Sequence, residues 1–178
     1  MHKDCEKILF TEEQLKKRIK EVALEVNAKY EGRRPLVVGI LKGSIIFYAD
    51  FVRHLDATAE LDFMAVSSYG SGTVSSGKLI IKKDLDRDIG GRDIIIVEDI
   101  IDSGFTMANL KALLKERGAK SISIVTLLDK KERREYDIQP DYNCFEIGNE
   151  FVIGYGLDFN EAYRTLPYIA VLKRSVYE

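Results

Sequence analysis

The sequence predicts an α/β fold, with a central, mostly parallel sheet flanked by helices, and three observations predict it. The runs at 36–41, 93–97 and 121–128 are apolar almost throughout, as strands buried on both faces are. Between them lie stretches whose apolar residues recur at steps of three or four, so strands alternate with helices. The length of 178 residues suits one domain able to bury a sizeable core without disulfides or a structural metal.

Each element has its own signal. After a short lead-in, Thr11 and Gln14 have the spacing of a capping box. Leu15, Ile19, Val22, Val26 and Tyr30 then form one apolar stripe on a charged helix, which Gly32 and Pro35 end. The run 36–41 is too short for a helix and reads as a buried strand. Lys42-Gly43-Ser44 interrupts it, and 45–55 reads as the next helix. Residues 61–67 alternate loosely as a strand, and 78–83 resume strand character. The segment between, 67–77, is mostly Ser and Gly, and such a composition buries too little side chain to hold one conformation. A strand at 93–97 leads through an acidic turn to a helix over 106–117, stopped by Gly118. The strand at 121–128 follows, with shorter ones at 151–153 and 169–171. No repeat or long linker divides the chain.

Composition narrows the chemistry. Lys and Arg number 27 against 29 Asp and Glu, which gives no electrostatic case for nucleic acid binding. No stretch approaches the ~18 apolar residues of a membrane span, and the start lacks the apolar core of a signal peptide, so the cytosol is the expected compartment. Cys5 and Cys144 lie far apart, His2 stands near the start of the chain, and His54 reads as an ordinary surface residue. Zinc clusters, disulfide frameworks and His- or Cys-based catalysis therefore fall away. Carboxylates, Lys or Arg, backbone amides and a hard metal ion remain.

The acidic turn is the most informative segment. In open α/β sheets ligands bind beyond the carboxyl ends of the strands. There this chain carries Glu98, Asp99 and Asp102, then Ser103-Gly104-Phe105-Thr106 leading into a helix. Small and hydroxylic residues at a helix N-terminus offer free amides to an anion. Carboxylates beside a phosphate cradle make sense only if the ligand also carries hydroxyls or a divalent cation, and a sugar phosphate satisfies both. Taken alone, the acids are equally helix caps.

The string VEDIIDSGFT at 97–106 resembles the phosphoribosyl-pyrophosphate (PRPP) signature of type I phosphoribosyltransferases, and most closely their hypoxanthine/guanine branch. Leu41-Lys42-Gly43-Ser44 is similar to that family's pyrophosphate loop, and Ser68-Tyr69 to the opening of its lid, here 67–77. Leu128-Asp129-Lys130 and the string FVIGYGLD at 151–158 are similar to its purine-binding parts. The resemblance runs from about residue 9 to residue 172. It implies a single domain over 1–178, with a small hood formed from about 1–10 and 140–178.

The resemblance also implies the reaction: transfer of phosphoribose from PRPP to N9 of hypoxanthine or guanine, giving IMP or GMP and pyrophosphate with Mg²⁺. By the same likeness Asp102 is the acid or base at purine N7. Asp102, Ser103, Gly104, Phe105 and Thr106 cradle the 5′-phosphate, Phe105 through its backbone only. Glu98 and Asp99 face the ribose hydroxyls and a metal, and Asp158 holds a second metal contact near the base. Lys42, Gly43, Ser68, Tyr69 and Arg164 meet pyrophosphate, and the Leu41–Lys42 peptide is often cis in the family. Lys130 donates to purine O6, Phe151 stacks on the base, and Val152 pairs with its edge. On their own residues these positions read more plainly: Lys130 begins a charged run, Phe151 and Val152 suit a core, and Arg164 suits a surface ion pair. A homodimer or homotetramer is the implied assembly. Two other readings share these motifs, a regulatory protein on the same scaffold and a transferase for xanthine or another base.

Overall fold

The computed structural model describes residues 1–68 and 79–177. In chain order the elements are β1 (Cys5–Phe10), α1 (Glu12–Lys29), β2 (Leu36–Leu41), α2 (Ile45–Val52), β3 (Glu60–Ser68), β4 (Leu79–Lys83), β5 (Asp93–Ile101), α3 (Phe105–Glu116), β6 (Ser121–Asp129), β7 (Tyr142–Glu146), β8 (Val152–Ile153), β9 (Ile169–Leu172) and α4 (Arg174–Tyr177). A single 3-10 turn, Lys131–Arg133, follows β6.

Six strands form the main sheet in the order β4-β3-β2-β5-β6-β7. All neighbours are parallel except β3 and β4. The apolar runs are buried on both faces, as their composition requires. On one face, Val37, Ile95, Val97, Val125 and Leu127 meet Leu15, Ile19, Val22 and Val26 of α1 and Phe47 and Phe51 of α2. On the other, Leu36, Val38, Ile94, Ile96 and Ile124 meet Met107, Leu110 and Leu114 of α3. The α1 capping box forms: the Gln14 amide donates to Thr11 Oγ1 at 3.3 Å and the Thr11 amide donates to Gln14 Oε1 at 2.9 Å.

A second, antiparallel sheet, β1-β9-β8, unites the two ends of the chain. Its extent corrects the expected hood. Tyr142–Glu146 is the outer strand of the main sheet, parallel to β6, so the small sheet takes only 5–10, 152–153 and 169–172. Other boundaries also move. The segment 5–10 is a strand rather than a lead-in; its alternation is weak because Glu6 and Lys7 both face solvent. Helix α2 stops at Val52. β5 runs through Glu98 and Asp99 to Ile101, so these acids end a strand rather than form a turn, since pairing with β6 continues to Ile101 opposite Asp129. The charged run after Lys130 makes only the 3-10 turn.

Candidate active site

β2 has β3 on one side and β5 on the other, so the chain departs in opposite directions from the middle of the sheet. A crevice opens at such a switch point, beyond the carboxyl ends of the strands. Here it is a cleft of about 330 Å³, lined among others by Gly43, Glu98, Asp99, the whole 102–106 loop, Asp158 and Arg164. A second cavity, about 380 Å³, lies by Pro35 and Ala59 at the opposite ends of the strands and contains none of these residues.

After β5, Gly104 adopts φ 88° and acts as the N-cap of α3. Asp102 therefore does not cap the helix. A Cβ at Gly104 would lie 2.6 Å from Ile138 Cγ2 and 2.9 Å from Arg134 Cδ, so only glycine fits. The Ser103 hydroxyl accepts from the Phe105 amide at 3.3 Å. The Ser103 carbonyl accepts from the amides of Glu135 and Tyr136, which ties the loop to the segment after β6. Residues 103–107, the loop and first turn of α3, line the cleft, a fitting seat for a phosphate.

Glu98 is only 7% exposed. Burial, and next the neighbouring Asp99, push its carboxyl well above the usual range. Burial raises Asp99 too, against lowering contributions from Glu98, the Ile100 amide and Arg164. A cation in the cleft would relieve the repulsion between two carboxyls held so close. Two hard oxygen donors suit Mg²⁺, which takes one or two carboxylates and fills its shell with waters and ligand phosphates. Asp158 lines the same cleft. Its Oδ1 pairs with Arg164 Nη2 at 2.9 Å and its Oδ2 accepts from the Glu161 amide. Among the described residues no three acids, His or Cys are grouped to hold a metal by themselves.

The Leu41–Lys42 peptide is cis. The Lys42 ammonium pairs with Glu161 at 2.9 Å. Gly43 lies against Asp99 on one side and Gly156 on the other. Arg164 donates from Nη1 to the Gly156 carbonyl at 2.8 Å, so the pyrophosphate residues predicted from sequence converge, apart from two. Ser67 and Ser68, the first two residues of the expected lid, end β3, and 69–77, Tyr69 among them, lie outside the described residues.

The β5–β6 register sets Asp129 beside Ile101, and the Lys130 amide donates to the Ile101 carbonyl at 3.0 Å. Lys130 is thereby carried alongside Asp102 and is 7% exposed, not a solvated charge. Burial lowers its ammonium, against the raising charge of Asp102. Phe151 is 37% exposed; its ring stacks on Tyr177 at 5.0 Å and meets Phe159 edge-on. Val152 is buried in β8.

Sequence reasoning missed several participants. Arg133 Nε lies 3.2 Å from Asp102 Oδ1. Arg134 pairs with Asp129, their side chains 9% and 0% exposed, beneath the Gly104 loop. Nothing in a run of seven mostly charged residues marks which ones turn inward; the parallel register of β6 decides it.

Residues 7–160 match the phosphoribosyl transferase domain, and the chain belongs to that family. Within it, the chain is 53% identical over 178 residues to a hypoxanthine-guanine phosphoribosyltransferase of Bacillus subtilis, covering 100% of this chain and 99% of the relative. It is 49% identical to the enzyme of the same name from Streptococcus thermophilus, over 99% and 98% of the two chains. The crystal structure of a hypoxanthine phosphoribosyltransferase from Staphylococcus aureus superposes with a TM-score of 0.96 at 45% identity, covering 100% and 97%.

Proposed function

We propose that the protein is a purine salvage enzyme, a hypoxanthine/guanine phosphoribosyltransferase. It transfers the 5-phosphoribosyl group of PRPP to N9 of a 6-oxopurine and yields IMP or GMP with pyrophosphate. The observation that carries this is convergence: one switch-point cleft gathers the Gly43 loop, the Glu98–Asp99 pair and the 102–106 loop, with Lys130 beside Asp102.

The amides at Ser103 to Thr106 seat the 5′-phosphate, with the Ser103 and Thr106 hydroxyls beside them. Glu98 and Asp99 accept from the ribose 2′- and 3′-hydroxyls. Glu98 and Asp99 would hold Mg²⁺, with Asp158 offering a second metal contact, and such an ion would supply positive charge to offset that of the leaving pyrophosphate. The backbone at Lys42 and Gly43, with Ser68, Tyr69 and Arg164, holds pyrophosphate in place. Lys130 donates to purine O6; facing an amino group instead, its ammonium would be buried unpaired, and that rejects adenine. Phe151 offers the base the part of its ring that Tyr177 leaves free, and the Val152 backbone meets its edge. Asp102 takes or returns the N7 proton as N9 forms its bond to the anomeric carbon, a role typically worth about 10²–10⁴ in rate. The family resemblance further supports a cytosolic homodimer or homotetramer. No described helix is long and apolar enough to cross a membrane.

Pyrophosphate release decides the matter when protein, Mg²⁺ and PRPP are mixed with hypoxanthine, guanine and xanthine in competition. Release with hypoxanthine or guanine, retained PRPP binding and a turnover loss of about 10²–10⁴ in Asp102→Asn are expected. Absence of release with all three bases defeats the reading, and preference for xanthine replaces its substrate.

A further inference from the structure

We propose that Asp50 and Tyr155 form a positioning pair that sets the pyrophosphate loop against the Asp158 turn. The proposal rests on the reading of the Gly43 loop as the pyrophosphate subsite. Neither residue lines the cleft, and the resemblance gives neither of them a role.

Tyr155 has φ 53°, between Gly154 at 94° and Gly156 at 103°. The two glycines adopt this left-handed backbone freely, but for a bulky aromatic residue it is costly and persists only where surroundings enforce it. Those surroundings are identifiable. The Tyr155 ring is 3% exposed in the core between α1, α2 and the sheet. Its hydroxyl donates to Asp50 Oδ2 on α2, and burial followed by the Asp50 hydrogen bond keeps that hydroxyl protonated. Its amide donates to the Leu166 carbonyl at 2.9 Å.

What this holds in place is the next residue. A Cβ on Gly156 would lie 2.0 Å from the Gly43 carbonyl oxygen, so the two loops touch backbone to backbone. Helix α2, which carries Asp50, begins directly after that same loop. The Gly156 carbonyl also receives Arg164 Nη1, whose Nη2 pairs with Asp158. The Asp50–Tyr155 bond thus closes a short circuit: Gly43 loop, α2, Tyr155, Gly156 and back to Gly43. A shift of Tyr155 moves Gly156, Arg164 and Asp158 relative to the loop, while the 102–106 loop follows β5 and Lys130 follows β6, outside that circuit.

The test is titration calorimetry with Mg²⁺-pyrophosphate and, separately, with IMP, on wild type, Tyr155→Phe, Asp50→Ala, Asp50→Asn and the double variant Asp50→Ala/Tyr155→Phe. Tyr155→Phe and Asp50→Ala should each weaken pyrophosphate about five- to tenfold, as loss of one hydrogen bond does, with IMP affinity kept within about twofold. The double variant should be no worse than the weaker single, and Asp50→Asn, whose amide oxygen still accepts, should bind like wild type. Unchanged pyrophosphate affinity in Tyr155→Phe, an equal loss for IMP, additive losses, or a defective Asp50→Asn would each overturn the pair. Wild type that binds IMP but no pyrophosphate would instead overturn the loop assignment, and the pair with it.

Discussion

Asp99 occupies the space a side chain on Gly43 would need: Oδ2 lies 1.6 Å from the position of a Cβ there. The other oxygen, Oδ1, accepts from the Ile100 amide at 2.8 Å, so the carboxylate is wedged between the strand that bears it and the loop that follows β2. The acidic end of β5 and the loop after β2 are therefore fixed relative to each other by the absence of a single carbon.

Gly43→Ala should force Asp99 off its Ile100 contact. We expect turnover to fall by about 10²-fold, the scale of a misplacement near 1 Å, with a melting temperature lowered by only a few degrees. Pyrophosphate release assays and thermal melts check both. Turnover within twofold of wild type would mean that Asp99 has no fixed place in the reaction.

Lys130 gives a pH signature. Burial lowers its folded pKa below the ordinary 10.5, although Asp102 pulls it upward. For a cation with a depressed folded value, folding is disfavoured while the group is charged, and stability rises as pH climbs through that value. The donation to O6 proposed for Lys130 should weaken over the same interval, as the ammonium loses its proton. The alkaline limb attributable to Lys130 should thus lie below pH 10.5 and move lower still in Asp102→Asn. Titration of the lysine side-chain resonance by NMR reads this directly, and an upward move in Asp102→Asn would contradict it.

The Asp129–Arg134 pair is buried, and Asp129 Oδ2 and Arg134 Nε and Nη1 have no hydrogen-bond partner. Removing one partner strands the other's charge, which costs about 3–5 kcal/mol, whereas replacing both by apolar residues of similar size is close to neutral. Asp129→Ala should lose about that much in urea denaturation, and Asp129→Leu/Arg134→Met should recover nearly all of it. Because Arg134 Cδ sits under Gly104, Asp129→Ala should also weaken IMP.

The central sheet was legible because strands buried on both faces leave no choice of residue, as 36–41 and 121–128 illustrate. Its margins were not. β1 and β7 are outer strands with few buried residues, and Glu6, Lys7 and Glu146 blur any alternation. In the site, the cleft collected what the residue types and the resemblance had singled out around Asp102. Arg133 and Arg134 were hidden in a charged run, since burial there depends on the β6 register. The Asp50–Tyr155 contact spans 105 positions, and no local pattern encodes such a pairing.

The joining of both chain ends in the small sheet has a kinetic consequence. The His2 amide reaches Tyr168 across 166 positions and Lys173 reaches Lys3 across 170, while the main sheet grows from neighbouring strand–helix units. Closing so long a loop carries the largest entropy cost in the molecule and is repaid only after the nearer contacts exist. We therefore expect the 102–106 loop and Lys130, which follow strands of the main sheet, to be in place before the small sheet that holds Val152 closes, so that the grip on the edge of the base comes last.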